Sequence, residues 1–72
     1  MNTITIADIA YLEKTYAAYK PSPTATTTYI ELRESARALA LQILTECPES
    51  RERAVALINL EQALMWAHIA IT

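Results

Sequence analysis

The fold is decided by the stretch CPESRER, residues 47–53. Pro48 cannot continue a helix, and Ser50 is a good N-cap for a new one, so one helix ends and another begins within a few residues. Glu52 stands in the first turn of the new helix, where the helix dipole favours a carboxylate. A connection this short predicts two antiparallel helices joined as a hairpin.

The helix that follows the turn is predicted over residues 51–71, and its apolar residues form two rows. The row expected to pack on the partner helix comprises Leu57, Leu60, Leu64, Ala67 and Ile71. The other row comprises Val55, Ile58, Met65 and Ile69, with Trp66 beside it. Because a helix that is apolar most of the way round is normally buried, the second row predicts self-association.

The helix before the turn is predicted over residues 29–46. Its apolar stripe comprises Tyr29, Leu32, Ala36, Leu39, Ala40, Ile43 and Cys47, with Leu41 and Leu44 at the edges. We expect Cys47 to be a small buried residue at the end of this helix. The turn at 47–50 then completes the predicted hairpin.

The first 28 residues predict an arm with a short helix, followed by a linker. From about Thr5 to residue 20, one helical face carries Ile9, Leu12, Tyr16 and Tyr19, with Asp8 near the start and Lys20 at the end. Residues 21–28 contain two prolines and several hydroxyl residues, which favour extended chain and turns. We expect Thr26 or Thr27 to cap the next helix.

The composition predicts one small all-α domain of 72 residues that assembles with copies of itself. A chain of this size buries only about 60% of its unfolded surface, so it usually needs additional stabilisation. A single cysteine excludes an intrachain disulfide, and one cysteine with one histidine cannot supply a zinc site. The absence of glycine excludes the glycine-rich phosphate loops. Self-association is left as the stabiliser.

The charge pattern indicates a cytoplasmic protein that binds neither long nucleic acid nor membrane. A formal net charge of −2 does not suit a protein that coats nucleic acid. No run reaches the roughly 18 consecutive apolar residues of a membrane span. The N-terminus also lacks the basic start and apolar core of a signal peptide.

Catalysis is poorly supported by the residues present. His68 and Cys47 stand at opposite ends of a predicted helix, roughly 30 Å apart, so they cannot form a nucleophile pair within one chain. Glu46, Glu49, Glu52 and Glu61 are expected on solvated faces or at the turn. We therefore expect no catalytic residue, no metal site and no cofactor.

The basic residues are better candidates for a site, because several lie near aromatic rings or helix starts. Arg33 and Arg37 are one helical turn apart, and Arg51 and Arg53 flank the first turn of the last helix, where unpaired backbone N–H groups favour anions. Lys20 follows two tyrosines, and rings beside cations suit a nucleotide. Two alternatives stay open: the charges only keep an apolar hairpin in solution, and Tyr16 and Tyr19 are core residues.

Three segments carry a family resemblance over about residues 16–71: YIELRESA at 29–36, CPESRER at 47–53 and ALMWA at 63–67. In these the chain resembles the small phage hairpin proteins of the anti-CBASS and anti-Thoeris type, which act as sponges for cyclic nucleotide immune signals. That family often carries an aromatic-Thr-Tyr-His-Pro arm, where this chain reads YAAYKP over 16–21. It often reads Met-Trp-Ala-Asn, where this chain has His68 as the last residue.

The resemblance implies a homohexamer that sequesters cyclic dinucleotides such as 3′,3′-cGAMP without cleaving them. It also implies, for some members, cyclic trinucleotides at separate pockets or glycocyclic ADP-ribose. With it, we expect a base to stack on Tyr16 or Tyr19 and a phosphate to meet Lys20. The further ligand contacts expected are Thr26, Thr28, Arg33, Arg51, Arg53 and His68. The competing hypothesis is a non-catalytic helical module whose second apolar face docks on another protein.

Overall fold

The computed structural model describes residues 3–16 and 26–71. These contain three helices: α1, Ile6–Thr15; α2, Thr26–Glu46; and α3, Arg51–Ile71. All regular structure in the described ranges is helical, and α2 and α3 pack against each other as an antiparallel pair. The predicted all-α hairpin with a short N-terminal helix is confirmed.

The turn between α2 and α3 is held by its own polar groups. Ser50 caps α3: its Oγ accepts a hydrogen bond from the Arg53 backbone N–H at 3.1 Å, as the sequence predicts. The Arg53 guanidinium in turn donates to the carbonyls of Leu44 at 3.3 Å and Cys47 at 3.4 Å. These carbonyls belong to the last turn of α2, where backbone acceptors lack helical partners.

The prediction that Cys47 is buried is wrong, because its side chain is exposed. Cys47 lies one residue past the end of α2, in the turn that leads into Pro48. Its backbone N–H still donates to the Ile43 carbonyl at 2.9 Å. The apolar stripe of α2 therefore ends one helical turn earlier than predicted, inside the helix.

Helix α2 starts three residues earlier than predicted, at Thr26 instead of Tyr29. Thr26 and Thr27 are thus its first residues instead of its cap, and the capping position lies outside the described residues. A threonine costs only a few tenths of a kcal/mol in a helix, so a run of them is readily included next to a well-packed residue. Tyr29, which is 1% exposed, is such a residue.

Helix α1 begins with a capping box and ends earlier than predicted. The Thr5 hydroxyl accepts from the Asp8 backbone N–H at 3.0 Å, while the Asp8 carboxylate accepts from the Thr5 backbone N–H at 3.1 Å. The helix ends at Thr15, so the basic residue of its last turn is Lys14 and not Lys20. Ile9, predicted on the same face as Leu12 and Tyr16, is 47% exposed.

The core forms where α1 lies across the hairpin. Its buried residues are Leu12, Tyr16, Ala36, Ala40, Leu44 and Leu57. Two details of the predicted α2 stripe change: Leu44, expected at an edge, is buried, and Leu39, expected on the stripe, is 46% exposed. Packing of α1 explains the burial of Leu44, which belongs to the same buried cluster as Leu12 and Tyr16.

The two predicted rows of α3 are both present. Leu57 is buried and the other residues of its row are half-buried against the hairpin. The second row, named here the outer row, comprises Val55, Ile58, Met65, Trp66 and Ile69, and each of these side chains is at least 40% exposed. The unpartnered apolar face predicted from the sequence thus lies along the outside of α3.

Helix α3 is also long and apolar enough to cross a membrane, with a mean hydropathy of 1.4 over its best window. One such helix is weak evidence for a membrane protein, because the core helix of a soluble protein passes the same test. Here Leu57, Leu60 and Leu64 pack on α1 and α2, which accounts for part of the apolar content of α3.

Candidate functional site

A groove lies at the open end of the hairpin, opposite the turn, where the C-terminal end of α1 meets the start of α2 and the second half of α3. Its volume is about 420 Å³, within the range of roughly 300–1,000 Å³ typical of ligand pockets. Among the residues that line this open-end groove are Tyr16, Tyr29, Ile58, Glu61, Met65 and His68.

The floor of the groove is aromatic and closely packed. Tyr29 is 1% exposed and Tyr16 is 4% exposed. The half-buried His68 ring meets Tyr29 edge-on, with ring centroids 4.4 Å apart and an interplanar angle of 69°. Burial of Tyr16 favours the core role that the sequence left open, since this ring has no open face for a base. Tyr19, the other ring predicted to stack on a base, lies outside the described residues.

A polar cluster connects α1 to α3 beside the groove. The Tyr11 hydroxyl donates a hydrogen bond to Oε2 of Glu61, and the Tyr11 and Tyr16 rings meet edge-on at 6.5 Å. Burial, followed by this hydrogen bond, raises the pKa of Tyr11 well above its ordinary value. Burial also raises the pKa of Tyr16, the Glu61 charge adds to it, and the nearby Tyr11 hydroxyl opposes it. The Tyr11 hydroxyl donates to Glu61, whereas the Tyr16 hydroxyl is buried without a hydrogen-bond partner among the described residues.

Arg33 lies on α2, one helical turn after Tyr29. Its side chain is only 13% exposed, and its Nη2 lies 3.2 Å from the Glu34 carboxylate. Its Nε is buried and has no hydrogen-bond partner among the described residues. A buried charged donor without an acceptor is costly, so this guanidinium is suited to receive an anion.

Arg51 and Arg53 lie at the other end of the hairpin. They are roughly 25 Å along α3 from His68, so within one chain they cannot serve the open-end groove. Arg53 already donates to the last carbonyls of α2, and the recess that it lines also holds Asp8 and Glu49. Two carboxylates beside one guanidinium do not favour an anion. Arg51 is exposed on the first turn of α3.

The other predicted contacts are only partly described. Tyr19, Lys20 and the side chain of Thr26 lie outside the described residues, and Thr28 is exposed in the first turn of α2. Of the nine predicted contacts, the groove brings together Tyr16 and His68. In the described ranges, no group of three or more His, Cys, Asp or Glu side chains could hold a metal.

Of the ten residues that line the groove, sequence reasoning selected only Tyr16 and His68; Tyr29 and Glu61 are among those it did not select. Tyr29 was placed in the core stripe and Glu61 on a solvated face, and each is part of the groove wall. Helical spacing showed that Tyr29 and Ala36 share a face, but nothing in it showed that His68 would contact that ring. The Tyr11–Glu61 hydrogen bond joins residues 50 positions apart, so no local pattern could reveal it.

Comparison with known proteins gives one match. A family model described as "Acb2/Tad1, hairpin domain" matches residues 8–72, nearly the whole chain. No curated protein and no solved structure matches.

Proposed function

The chain belongs to the Acb2/Tad1 hairpin-domain family of phage anti-CBASS and anti-Thoeris cyclic nucleotide sponges, and on that premise we propose that it sequesters a cyclic nucleotide second messenger in the host cytoplasm without cleaving it. The ligands proposed are cyclic dinucleotides such as 3′,3′-cGAMP, cyclic trinucleotides or glycocyclic ADP-ribose. A sponge needs affinity and copy number, and it needs no catalytic group.

The observation that carries this proposal, beyond the family, is the open-end groove. It combines a ligand-sized volume with apolar and aromatic side chains and several polar groups, the usual make-up of a small-molecule site. Met65 and His68 border it, and both are accessible to a ligand to a greater degree than the buried tyrosines. A purine ring is a flat, largely apolar body that such walls accommodate.

The phosphates of the ligand require cations that the described part of the groove wall lacks, since no arginine or lysine is among its lining residues. We assign this role to Arg33, for its buried Nε, and to Lys20, on sequence grounds. Arg51 and Arg53 would reach the ligand only if another copy of the chain brought its turn close to the groove. His68, at the edge of the groove, would contact the base or ribose.

We further propose that the chain works as a homohexamer whose assembly closes the groove. Ile58, Met65 and Ile69 belong both to the outer row and to the groove wall. A second copy packed on the outer row would therefore cover the open side of the groove. Exposed apolar side chains of this number are otherwise unfavourable in water, which supports the assembly.

The test is calorimetric titration of the purified chain with 3′,3′-cGAMP, a cyclic trinucleotide and glycocyclic ADP-ribose, with light scattering of the same sample. We expect one of these ligands to bind a discrete hexamer, and heating the complex to release it intact. Release of a cleaved product would show an enzyme. A chain of mixed size that binds none of the ligands would instead favour the interaction module, with the outer row docked on another protein.

Matched variants test the site itself. Lys20→Ala and Arg33→Ala are each expected to weaken binding by roughly 1.5–3 kcal/mol, the range for hydrogen bonds to charged groups. Arg37→Ala is the control, because Arg37 is an exposed arginine of the same helix. If all three variants keep wild-type affinity in an intact assembly, the phosphate does not bind at the open end.

A further inference from the structure

The open-end groove has one carboxylate, Glu61, among its lining residues. A carboxylate is an unexpected component of a site for an anionic ligand, because it repels phosphate at close range. The half-buried Glu61 is also on the part of α3 that faces α1, not at the solvated rim. Such a carboxylate is suited to a part of the ligand that donates hydrogen bonds.

The Glu61 side chain is fixed in position. Its Oε2 accepts the hydrogen bond of Tyr11, a residue of the helix packed across the hairpin. Oε1 and the second lone pair of Oε2 remain as acceptors for a ligand, since a carboxylate has about four acceptor positions. The neighbouring Gln62 also lines the groove, and its amide offers both a donor and an acceptor. The polar wall therefore presents a fixed anionic acceptor beside an adaptable amide.

We infer that Glu61 reads the base of the bound nucleotide and selects guanine over adenine, an inference that rests on the proposed function. The Watson–Crick edge of guanine carries two adjacent donors, N1–H and the N2 amino group, which a carboxylate accepts together. Adenine presents one amino donor beside N1, and the lone pair of N1 faces the carboxylate unfavourably. The phosphates then lie away from Glu61, toward the basic residues.

Tyr11 is a positioning residue in this arrangement. Its hydroxyl holds Glu61 without taking both of the carboxylate oxygens. The raised pKa of Tyr11 keeps the hydroxyl protonated, so that it donates throughout the physiological range. Removing this hydroxyl loosens the carboxylate but leaves its charge at the groove. The positioning role of Tyr11 can therefore be separated experimentally from base recognition by Glu61.

The experiment compares two ligands that differ only in their bases, 3′,3′-cyclic di-GMP and 3′,3′-cyclic di-AMP. Calorimetry on the assembled wild-type protein is expected to show tighter binding of the guanine ligand. Glu61→Gln retains an acceptor for Tyr11 but loses the charge, and it is expected to reduce the guanine-to-adenine affinity ratio by about tenfold or more. Tyr11→Phe is expected to lower that ratio by a smaller factor. Thermal melting checks that both variants remain folded.

Three outcomes overturn the inference and are distinguishable from one another. If the wild type binds both ligands and Glu61→Gln leaves their ratio unchanged, Glu61 does not read the base, while the sponge function stands. If the wild type binds neither of these ligands nor the three proposed above, the proposed function fails and the inference fails with it. A ratio that falls equally in Glu61→Gln and Tyr11→Phe would also contradict base reading, because it would assign Glu61 to holding α1 alone.

Discussion

The two ends of the hairpin differ in how their polar side chains are hydrogen-bonded. At the turn end, Ser50 and Arg53 bond to backbone groups, and Thr5 and Asp8 cap α1 reciprocally. At the open end, the Arg33 Nε is buried without a hydrogen-bond partner in the described ranges. The polar groups named at the turn end are paired within the chain, and the buried Arg33 Nε without a partner indicates where a ligand is expected.

The arginines show this difference most directly. Arg53 stands near the start of a helix, where sequence reasoning expects an anion, yet it bonds to the carbonyls that end the preceding helix. Arg33, also expected to contact the ligand, stands inside a helix, and its side chain is only 13% exposed. The two predicted anion contacts thus differ in burial and in hydrogen-bond partners.

The largest expected effect tests whether the open end is packed as firmly as the rest of the core. Tyr29→Ala should lower the free energy of unfolding by about 3–5 kcal/mol, because it empties a large buried site beside His68. Urea denaturation followed by circular dichroism measures the loss. Ile30→Ala, at the adjacent exposed position, is the control and should cost far less. A loss below about 1 kcal/mol for Tyr29→Ala would mean that the open end is loosely packed.

Alanine substitution of each of the two arginines should separate an effect on ligand binding from an effect on stability. Arg33→Ala is expected to reduce affinity for the cyclic nucleotide by roughly 1.5–3 kcal/mol. Arg53→Ala should leave affinity unchanged and lower the free energy of unfolding by about 1 kcal/mol, through loss of hydrogen bonds to two carbonyls. Calorimetry measures the ligand affinity of each variant, and urea denaturation measures its free energy of unfolding. The reverse pattern would locate the site at the turn end.

The features that depend on local spacing were predictable from the sequence. The hairpin, the Ser50 cap and the two rows of α3 all follow from residues close together in the chain. The position of α1 across the hairpin does not, and two features result from it: the burial of Leu44 and the contact of Tyr11 with Glu61. The sequence indicated aromatic and polar residues at the candidate site, but not which residues line the groove, because its walls come from three helices.

A smaller effect concerns the cap at the turn. Ser50→Ala should lower the free energy of unfolding by about 1 kcal/mol, because the Arg53 backbone N–H loses its acceptor. The matched control is Ser35→Ala, at an exposed position inside α2. Alanine is the better helix former there, so this variant should be neutral or slightly stabilising. Equal losses in the two variants would contradict the capping role of Ser50.

The smallest effect is a pH dependence of stability that arises near the open end. Tyr11 and Tyr16 keep their protons in the folded chain beyond the pH, about 10, at which the unfolded chain releases them. The free energy of unfolding should therefore be constant in pH up to about 10 and fall above it. Tyr11→Phe removes one of these groups and should make the fall shallower. An unchanged slope, from urea denaturation at several alkaline pH values, would show that the Tyr11 hydroxyl is not held by Glu61.

The most direct measurement of where the ligand binds is nuclear magnetic resonance of the ¹⁵N-labelled protein titrated with 3′,3′-cGAMP, or with whichever proposed ligand binds. The largest changes in amide chemical shift are expected at the open end, around Arg33, Glu61 and His68, with Ser50 and Arg53 nearly unchanged. Changes centred on residues 50–53, with the open end unaffected, would contradict the assignment of the site.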